Sequence, residues 1–131
     1  MSIDKKFVDK FINVTSKAAL ASSYLVGKKD KIAADKAAVD SMRTELNKIN
    51  MNGKIVIGEG ELDKAPMLYI GEELGTKNGP NFDIAVDPLE GTNFAANNLP
   101  GALSVIAVAE KNNLFNAPET YMDKIAINQN S

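Results

Sequence analysis

The order of hydrophobic patterns along the chain constrains the fold more than any other feature of the sequence. Apolar residues at helical spacing predict two amphipathic helices, over residues 5–26 and 35–49. Apolar and β-branched runs follow them, and these predict strands over residues 55–57, 82–86, 102–109 and 124–127. Two helices followed by strands favour a layered α/β sandwich.

The segments between these elements differ in how clearly they can be interpreted. Residues 27–34 are polar and basic and predict a connection, and the turn-rich GTKNGPN predicts a surface turn. The stretch MLYIGEEL fits a short helix and an extended piece equally well. Because residues 102–109 are almost continuously apolar, we expect that strand to be buried on both faces.

The composition excludes several kinds of chemistry. The 131 residues include no cysteine and no histidine, which excludes disulfides, thiol catalysis and a histidine general base. A formal net charge of −2 argues against non-specific electrostatic binding to nucleic acid or acidic lipid. Carboxylates, hydroxyls and lysines remain, and oxygen ligands favour Mg²⁺ or Mn²⁺ over softer metals.

The N-terminal sequence MSIDKKFVDK scatters charges among its apolar residues and lacks the apolar core of a signal peptide. No apolar stretch approaches the roughly 20 residues that a membrane helix needs. We therefore expect a cytoplasmic protein without a membrane partner.

Acidic residues follow two of the predicted strands. Glu59, Glu61 and Asp63 come after the first strand, and Asp87 and Glu90 come after the second. Loops at the carboxyl ends of neighbouring strands commonly open into one crevice, so these carboxylates meet if the two strands are neighbours. Like charges at close range raise each other's pKa, and a divalent cation relieves that repulsion. The pattern therefore predicts a metal site.

The sequence Asp87-Pro88-Leu89-Glu90-Gly91-Thr92 is the sharpest motif. Proline fixes φ within the turn, and a three-residue separation can bring both carboxylates to one ion. Glycine lets the backbone approach a phosphate closely, and the threonine is expected to cap a helix that starts at the next residue. A plain strand-to-helix turn explains the same letters without any ligand.

Three other residues have simple structural interpretations. Asp35, taken alone, is best explained as a helix N-cap. Tyr121 alone is a packing residue whose hydroxyl reaches water, and Lys31 alone is a solvated loop charge.

The stretches VIGEGELDKAPMLYIGEELG and DIAVDPLEGT together resemble class II fructose-1,6-bisphosphatases, including bacterial enzymes that also accept sedoheptulose 1,7-bisphosphate. DPLEGT is also similar to the motif of the inositol monophosphatase superfamily, usually Asp-Pro-x-Asp-Gly-Thr, and the glutamate at Glu90 favours class II. DKIAADKAAVDSMR and NAPETYMDKIAI resemble the same family, so the likeness covers nearly the whole chain in order.

This resemblance implies an inositol monophosphatase-like α/β sandwich and a metal-dependent hydrolysis in gluconeogenesis. The 1-phosphate of fructose 1,6-bisphosphate would be removed to give fructose 6-phosphate, with Mn²⁺ or Mg²⁺ as cofactor. It further implies that Asp35 and Glu59 ligate one metal and that Asp87 and Glu90 ligate a second.

Substrate contacts are implied by the same resemblance, for Glu90, Gly91, Thr92, Tyr121 and Lys31. Thr92 would lie beside the scissile phosphate. Glu61 and Asp63 would position or deprotonate the attacking water.

Members of this family are more than twice as long, and their later half supplies basic residues and a further metal-binding glutamate. We therefore expect residues 1–131 to be an N-terminal metal- and phosphate-binding domain without its C-terminal domain. Such a chain is expected to form a homo-oligomer or to pair with a complementing C-terminal half. The alternatives are an inositol-phosphate or nucleotide phosphatase of the superfamily, and a non-catalytic remnant.

Overall fold

The fold is a layered α/β arrangement, as the order of patterns predicts. The computed structural model describes residues 3–60, 67–116 and 120–128. Its elements are α1 (Lys5–Ser23), α2 (Lys31–Asn47), β1 (Asn52–Ile57), β2 (Glu73–Leu74), β3 (Asn81–Glu90), α3 (Thr92–Ala96) and β4 (Leu103–Glu110). Two helices therefore precede a sheet that is interrupted by one short helix.

The second helix begins a full turn before its predicted start. The Asp30 side chain accepts a hydrogen bond of 2.9 Å from the Ala33 backbone amide, which makes Asp30 the N-cap. The predicted connection over residues 27–34 is therefore too long, and the interpretation of Asp35 as an N-cap is wrong. Asp35 lies inside α2, so its carboxylate does not cap the start of the helix.

The four strands form one mixed sheet in the order β2-β1-β3-β4. The central strands β1 and β3 run parallel, while β2 and β4 are antiparallel to their neighbours. Parallel neighbours end at the same edge of the sheet, so the segments after β1 and within the end of β3 are brought together.

Two segments differ from their predicted structure. Residues 67–74 contain turns and the short β2, so neither a helix nor one extended piece describes them. Residues 124–127 have no strand pairing and are exposed to solvent, so the predicted last strand is wrong. The turn predicted from GTKNGPN is confirmed between β2 and β3.

The core lies between the two long helices and one face of the sheet. Phe7 and Phe11 on α1 pack edge-on against Phe82 on β3, with ring centroids 5.2 and 6.0 Å apart. Met42 and Leu46 on α2 are fully buried in the same cluster. These contacts fix both helices against β3, which carries part of the candidate site.

The last strand is not covered on both faces, contrary to the prediction from its apolar run. Residues along β4 alternate between half-buried and exposed, and Leu103 and Val105 are 58% and 40% exposed. β4 is an edge strand, and α1 packs against it. The apolar run of residues 102–109 therefore forms an exposed apolar surface in part, and not a strand that is buried on both faces.

Among residues 3–60, 67–116 and 120–128, no helix combines the length and apolar character required to cross a membrane.

Candidate metal site

A cleft of about 480 Å³ opens where β1 and β3 end side by side. Its lining residues are Asp35, Ile57, Gly58, Glu59, Val86, Asp87, Leu89 and Thr92. The cleft therefore brings together three carboxylates that come from α2, from the segment after β1, and from β3. The sequence left open whether the two strands are neighbours; β1 and β3 do pair, and Glu59 and Asp87 line one cleft.

An extra residue in β3 shapes the acidic end of this strand. From Asp87 to Glu90 the strand advances three residues while its partner β4 advances two, from Val105 to Leu103. The two carboxylates are close enough that the charge of Glu90 raises the pKa of Asp87. Pro88 tolerates the irregularity because it has no amide hydrogen to donate. The predicted end of this strand at residue 86 is wrong, since β3 continues to Glu90.

The electrostatics of the cleft are unfavourable without a counterion. Burial raises the pKa of Asp87, and the negative charges of Glu90 and Asp35 raise that pKa further. A hydrogen bond with the Leu89 backbone lowers the pKa of Asp87 and opposes this effect only in part. Burial also raises the pKa of Asp35. Ionisation of both carboxylates is therefore unfavourable. A bound cation would stabilise the ionised forms and lower both pKa values.

Glu59 is held by backbone hydrogen bonds at the base of its loop. Its amide donates to the Leu68 carbonyl at 2.9 Å, and the Ile70 amide donates to the Gly60 carbonyl at 2.9 Å. Gly58 allows this close approach, because a Cβ there would lie 2.1 Å from the Leu68 carbonyl oxygen. These hydrogen bonds join residues 59–60, which follow β1, to residues 68–70.

The short helix α3 begins next to the cleft, and Thr92 lines it. The N-cap of α3 is Gly91 with φ of 81°, and no side chain caps the helix, so the predicted capping role of Thr92 is wrong. The positive φ explains the glycine, because residues with a Cβ rarely adopt that conformation. The Thr92 hydroxyl is consequently not used to cap α3.

Within the described part of the chain, the other predicted site residues, Gly91 among them, do not line the cleft. Glu90 is exposed at the end of β3, Lys31 is exposed at the start of α2, and Tyr121 is fully exposed. Glu61 and Asp63 lie outside the described residues.

The donor set of the cleft fits a hard divalent cation, because carboxylate and hydroxyl oxygens are its preferred ligands. Within the described part of the chain, no three acidic side chains are close enough to form a complete metal shell. Asp35, Glu59 and Asp87 instead stand around a space large enough for ions and a phosphate. Side-chain adjustment on binding would be needed to close a coordination shell.

A buried ion pair between Glu72 and Arg43 was not predicted from the sequence. Glu72 is 4% exposed, and its Oε1 lies 2.6 Å from Nε of Arg43 on α2. Its Oε2 accepts a hydrogen bond from the Leu68 amide. The only signal in the sequence was the pair Glu72-Glu73 within an apolar stretch, and nothing in it indicated which glutamate is buried.

A comparison with solved structures supports the class of fold. The chain is similar to an extragenic suppressor from Pyrococcus furiosus, with a TM-score of 0.56 and 18% identity. The match covers 82% of this chain and 41% of that chain. The match supports an α/β fold for this chain.

The family is defined by sequence. Residues 5–131 match the family model described as bacterial fructose-1,6-bisphosphatase, glpX-encoded, and the chain belongs to that family. It is 53% identical over 124 residues to the D-fructose 1,6-bisphosphatase class 2/sedoheptulose 1,7-bisphosphatase of Synechococcus sp. (strain CC9902). The protein of the same name from Prochlorococcus marinus (strain MIT 9303) is 52% identical. Each match covers 95% of this chain and 37% of the relative, so the chain spans little more than a third of their length.

Proposed function

We propose that residues 1–131 form the N-terminal metal- and phosphate-binding domain of a phosphatase that acts on fructose 1,6-bisphosphate. The product would be fructose 6-phosphate, as in gluconeogenesis, and the setting would be the cytoplasm. The observation that carries this proposal is the meeting of Asp35, Glu59 and Asp87 on one cleft beside Thr92. The names of the relatives support a sugar bisphosphate as substrate, and the resemblance of the D-P-L-E-G-T motif supports an inositol monophosphatase-like fold.

Four carboxylates are proposed as ligands for Mn²⁺ or Mg²⁺. Asp35 and Glu59 would hold one ion, and Asp87 and Glu90 would hold a second. A divalent cation in this place supplies positive charge against the phosphoryl oxygens. The raised pKa of Asp87 supports this assignment, because a carboxylate that resists ionisation alone gains most from a neighbouring cation.

The phosphoryl group is proposed to lie against the start of α3. The Thr92 hydroxyl would donate a hydrogen bond to a phosphoryl oxygen, and the glycine at Gly91 leaves the backbone open to close approach. Glu90 would contact the same group. This arrangement orients the phosphate for in-line attack, where positioning and electrostatics supply most of the acceleration.

Other assignments rest on the resemblance alone. Glu61 and Asp63 are proposed to position and deprotonate the attacking water. Tyr121 is proposed to contact the substrate, and Lys31 to act as an accessory cation. Tyr121 and Lys31 would have to approach the cleft when substrate is bound, because neither lines it in this structure.

A chimaeric enzyme tests the proposal directly. This chain would replace the corresponding segment of the Synechococcus relative, and phosphate release would be measured in Mn²⁺ and in Mg²⁺. Fructose 1,6-bisphosphate, sedoheptulose 1,7-bisphosphate, inositol monophosphate and nucleotide monophosphates would serve as parallel substrates. We expect release from fructose 1,6-bisphosphate, and at least a 100-fold loss in the chimaera carrying Asp87→Asn.

Each outcome has a distinct meaning. A preference for inositol or nucleotide phosphates would replace the substrate and keep the chemistry. Normal turnover with Asp87→Asn would contradict the proposed metal site. A well-folded but inactive chimaera would favour a non-catalytic role.

The open face of β4 supports a second proposal, that this chain acts by pairing with another polypeptide. Leu103 and Val105 present apolar surface on an edge strand, where unpaired backbone groups invite a further strand. The partner would be a second copy or a chain that supplies the complementing C-terminal half. Neither nucleic acid nor a membrane is expected as a partner.

A further inference from the structure

The buried carboxylate of Glu72 lies outside the cleft but is connected to it. One oxygen pairs with Arg43 at 2.6 Å, and the other accepts from the Leu68 amide. We propose that Glu72, held by Arg43, is a positioning residue that fixes the base of the acidic loop and thereby the place of Glu59 in the cleft. This inference rests on the proposed function only where it treats Glu59 as a metal ligand.

Leu68 connects the ion pair to Glu59 through its own peptide groups. Its amide is held by Glu72, and its carbonyl accepts the Glu59 amide at 2.9 Å. Leu68 is fully buried and has φ of 56°, an unfavourable conformation for a residue with a Cβ. Such a conformation persists only where surrounding contacts impose it, and Glu72 supplies one of these contacts.

The ion pair also links the two parts of the chain that carry the first proposed pair of ligands. Arg43 lies on α2 about two turns beyond Asp35. Glu72 follows the acidic loop that begins at Glu59. A contact between Arg43 and Glu72 therefore sets the loop against α2 and fixes the spacing of Asp35 and Glu59.

The charge of Glu72 matters as much as its shape. A buried carboxylate is expensive to maintain unless it is paired and hydrogen-bonded, and both oxygens here have partners. In Glu72→Gln the side chain keeps its size and can still accept from Leu68, but the ion pair with Arg43 is lost. The loop base is then held by one neutral contact instead of two charge-assisted ones.

The test uses the 131-residue chain itself with two measurements. Amide hydrogen exchange at Glu59 and Leu68 reports the loop base, and electron paramagnetic resonance of free Mn²⁺ reports ion affinity. For Glu72→Gln we expect exchange at both amides to accelerate about 10-fold more than in β3, and the Mn²⁺ affinity to fall about 10-fold. The matched control is Glu73→Gln, whose side chain is exposed and pairs with Lys77, and it should change neither measurement.

A general loss of stability is tested by Ile84→Val, a mild truncation in the core. If this variant weakens Mn²⁺ binding as much as Glu72→Gln does, the positioning role is overturned. Unchanged exchange at Glu59 in Glu72→Gln overturns it as well. If Glu72→Gln fails to fold, Arg43→Gln carries the same test from the other side of the ion pair, because the Arg43 side chain is 42% exposed.

Failure of the proposed function gives a different result. A wild-type chain that binds no Mn²⁺ contradicts the metal site, while the exchange measurement still decides whether Glu72 holds the loop.

Discussion

At the residue scale, Asp35 and Asp87 are half-buried carboxylates whose ionisation is opposed by burial. Half-buried carboxylates lower the stability of the metal-free chain, and they are suitable ligands when the chain binds cations. A protein under selection for stability alone would place amides or apolar residues there. The two acids are therefore the residues at which stability and proposed function pull in opposite directions.

Asp87→Asn is expected to stabilise the metal-free chain at neutral pH. Because the pKa of Asp87 is raised in the folded chain above its ordinary value of 3.8, the folded chain binds that proton more tightly than the unfolded chain. The stability that Asp87 contributes is complete below the unfolded pKa and is lost as pH rises through the folded pKa. Solvent screens a half-buried group, so we expect a gain in Tm of about 1–4 °C at pH 7.

Thermal melts in EDTA from pH 4 to pH 8 measure this effect. The difference in Tm between Asp87→Asn and wild type should grow with pH and be smallest at pH 4. Asp9→Asn on the exposed face of α1 is the control and should follow the wild-type curve. Parallel curves for Asp87→Asn and wild type would show that Asp87 bears no electrostatic strain.

Added Mn²⁺ should make the wild-type chain more stable than Asp87→Asn, which reverses the order of stability expected without metal. An ion that binds only the folded chain stabilises it by about 2.7 kcal/mol when present at 100 times its Kd. Wild type is expected to gain this stability in melts at pH 7, while Asp35→Asn and Asp87→Asn gain much less. An equal gain in all three would mean that Mn²⁺ binds elsewhere.

Much at this scale could be predicted from the sequence. The acids Asp87 and Glu59 stood out because each follows a short apolar strand, and the motif letters tied them to a family. The start of α2 was missed, because Asp30 and Asp35 are both reasonable caps and only the Asp30–Ala33 hydrogen bond distinguishes them. The buried state of Glu72 depends on Arg43, which is distant in sequence, so no local pattern indicates it.

At the element scale, the site depends on irregularities at the ends of two strands. An extra residue lies in β3 between Asp87 and Glu90, and backbone hydrogen bonds join residues 59–60 after β1 to residues 68–70. Hydrophobic patterns predict where strands lie, but an extra residue depends on pairing with β4 and leaves no periodic trace. This is why β3 was predicted to end at residue 86 and instead continues to Glu90.

Gly58→Ala is expected to disturb the base of the acidic loop. The new Cβ would lie 2.1 Å from the Leu68 carbonyl oxygen, so the backbone must move. We expect a loss of about 2–4 kcal/mol in the free energy of unfolding, measured with urea. Gly71→Ala is the comparison, because its Cβ meets open space and only its positive φ is unfavourable, which costs about 1–2 kcal/mol. A Gly58→Ala variant as stable as Gly71→Ala would contradict the described loop base.

At the scale of the whole molecule, the sheet is covered by helices on one face and open along β4. The apolar run over residues 102–109 led to the expectation of a strand buried on both faces. The apolar residues of a strand indicate that it can pack against other apolar surface. Whether the strand is buried depends also on the chains that are present to cover it. The same reasoning applies to the exposed residues 124–127, where a strand was predicted and none is formed.

Self-association through β4 is the expected behaviour of the isolated chain. Size-exclusion chromatography with light scattering should give a mass above the 14.1 kDa monomer at tens of micromolar. Val105→Lys should shift the chain toward the monomer, because the new charge opposes strand pairing at this edge. Ile32→Lys, at an exposed apolar position on α2, is the control and should not alter the mass. A monodisperse wild-type monomer would contradict this expectation.

The account as a whole depends on divalent ions being held among carboxylates that come from separate parts of the chain. The most direct measurement is an anomalous difference map from crystals of this chain grown with Mn²⁺. We predict a peak within coordination distance of Asp87 and of Asp35 or Glu59, in the cleft beside Thr92. A well-ordered cleft with no peak there, at Mn²⁺ concentrations that occupy other sites, would contradict the central claim.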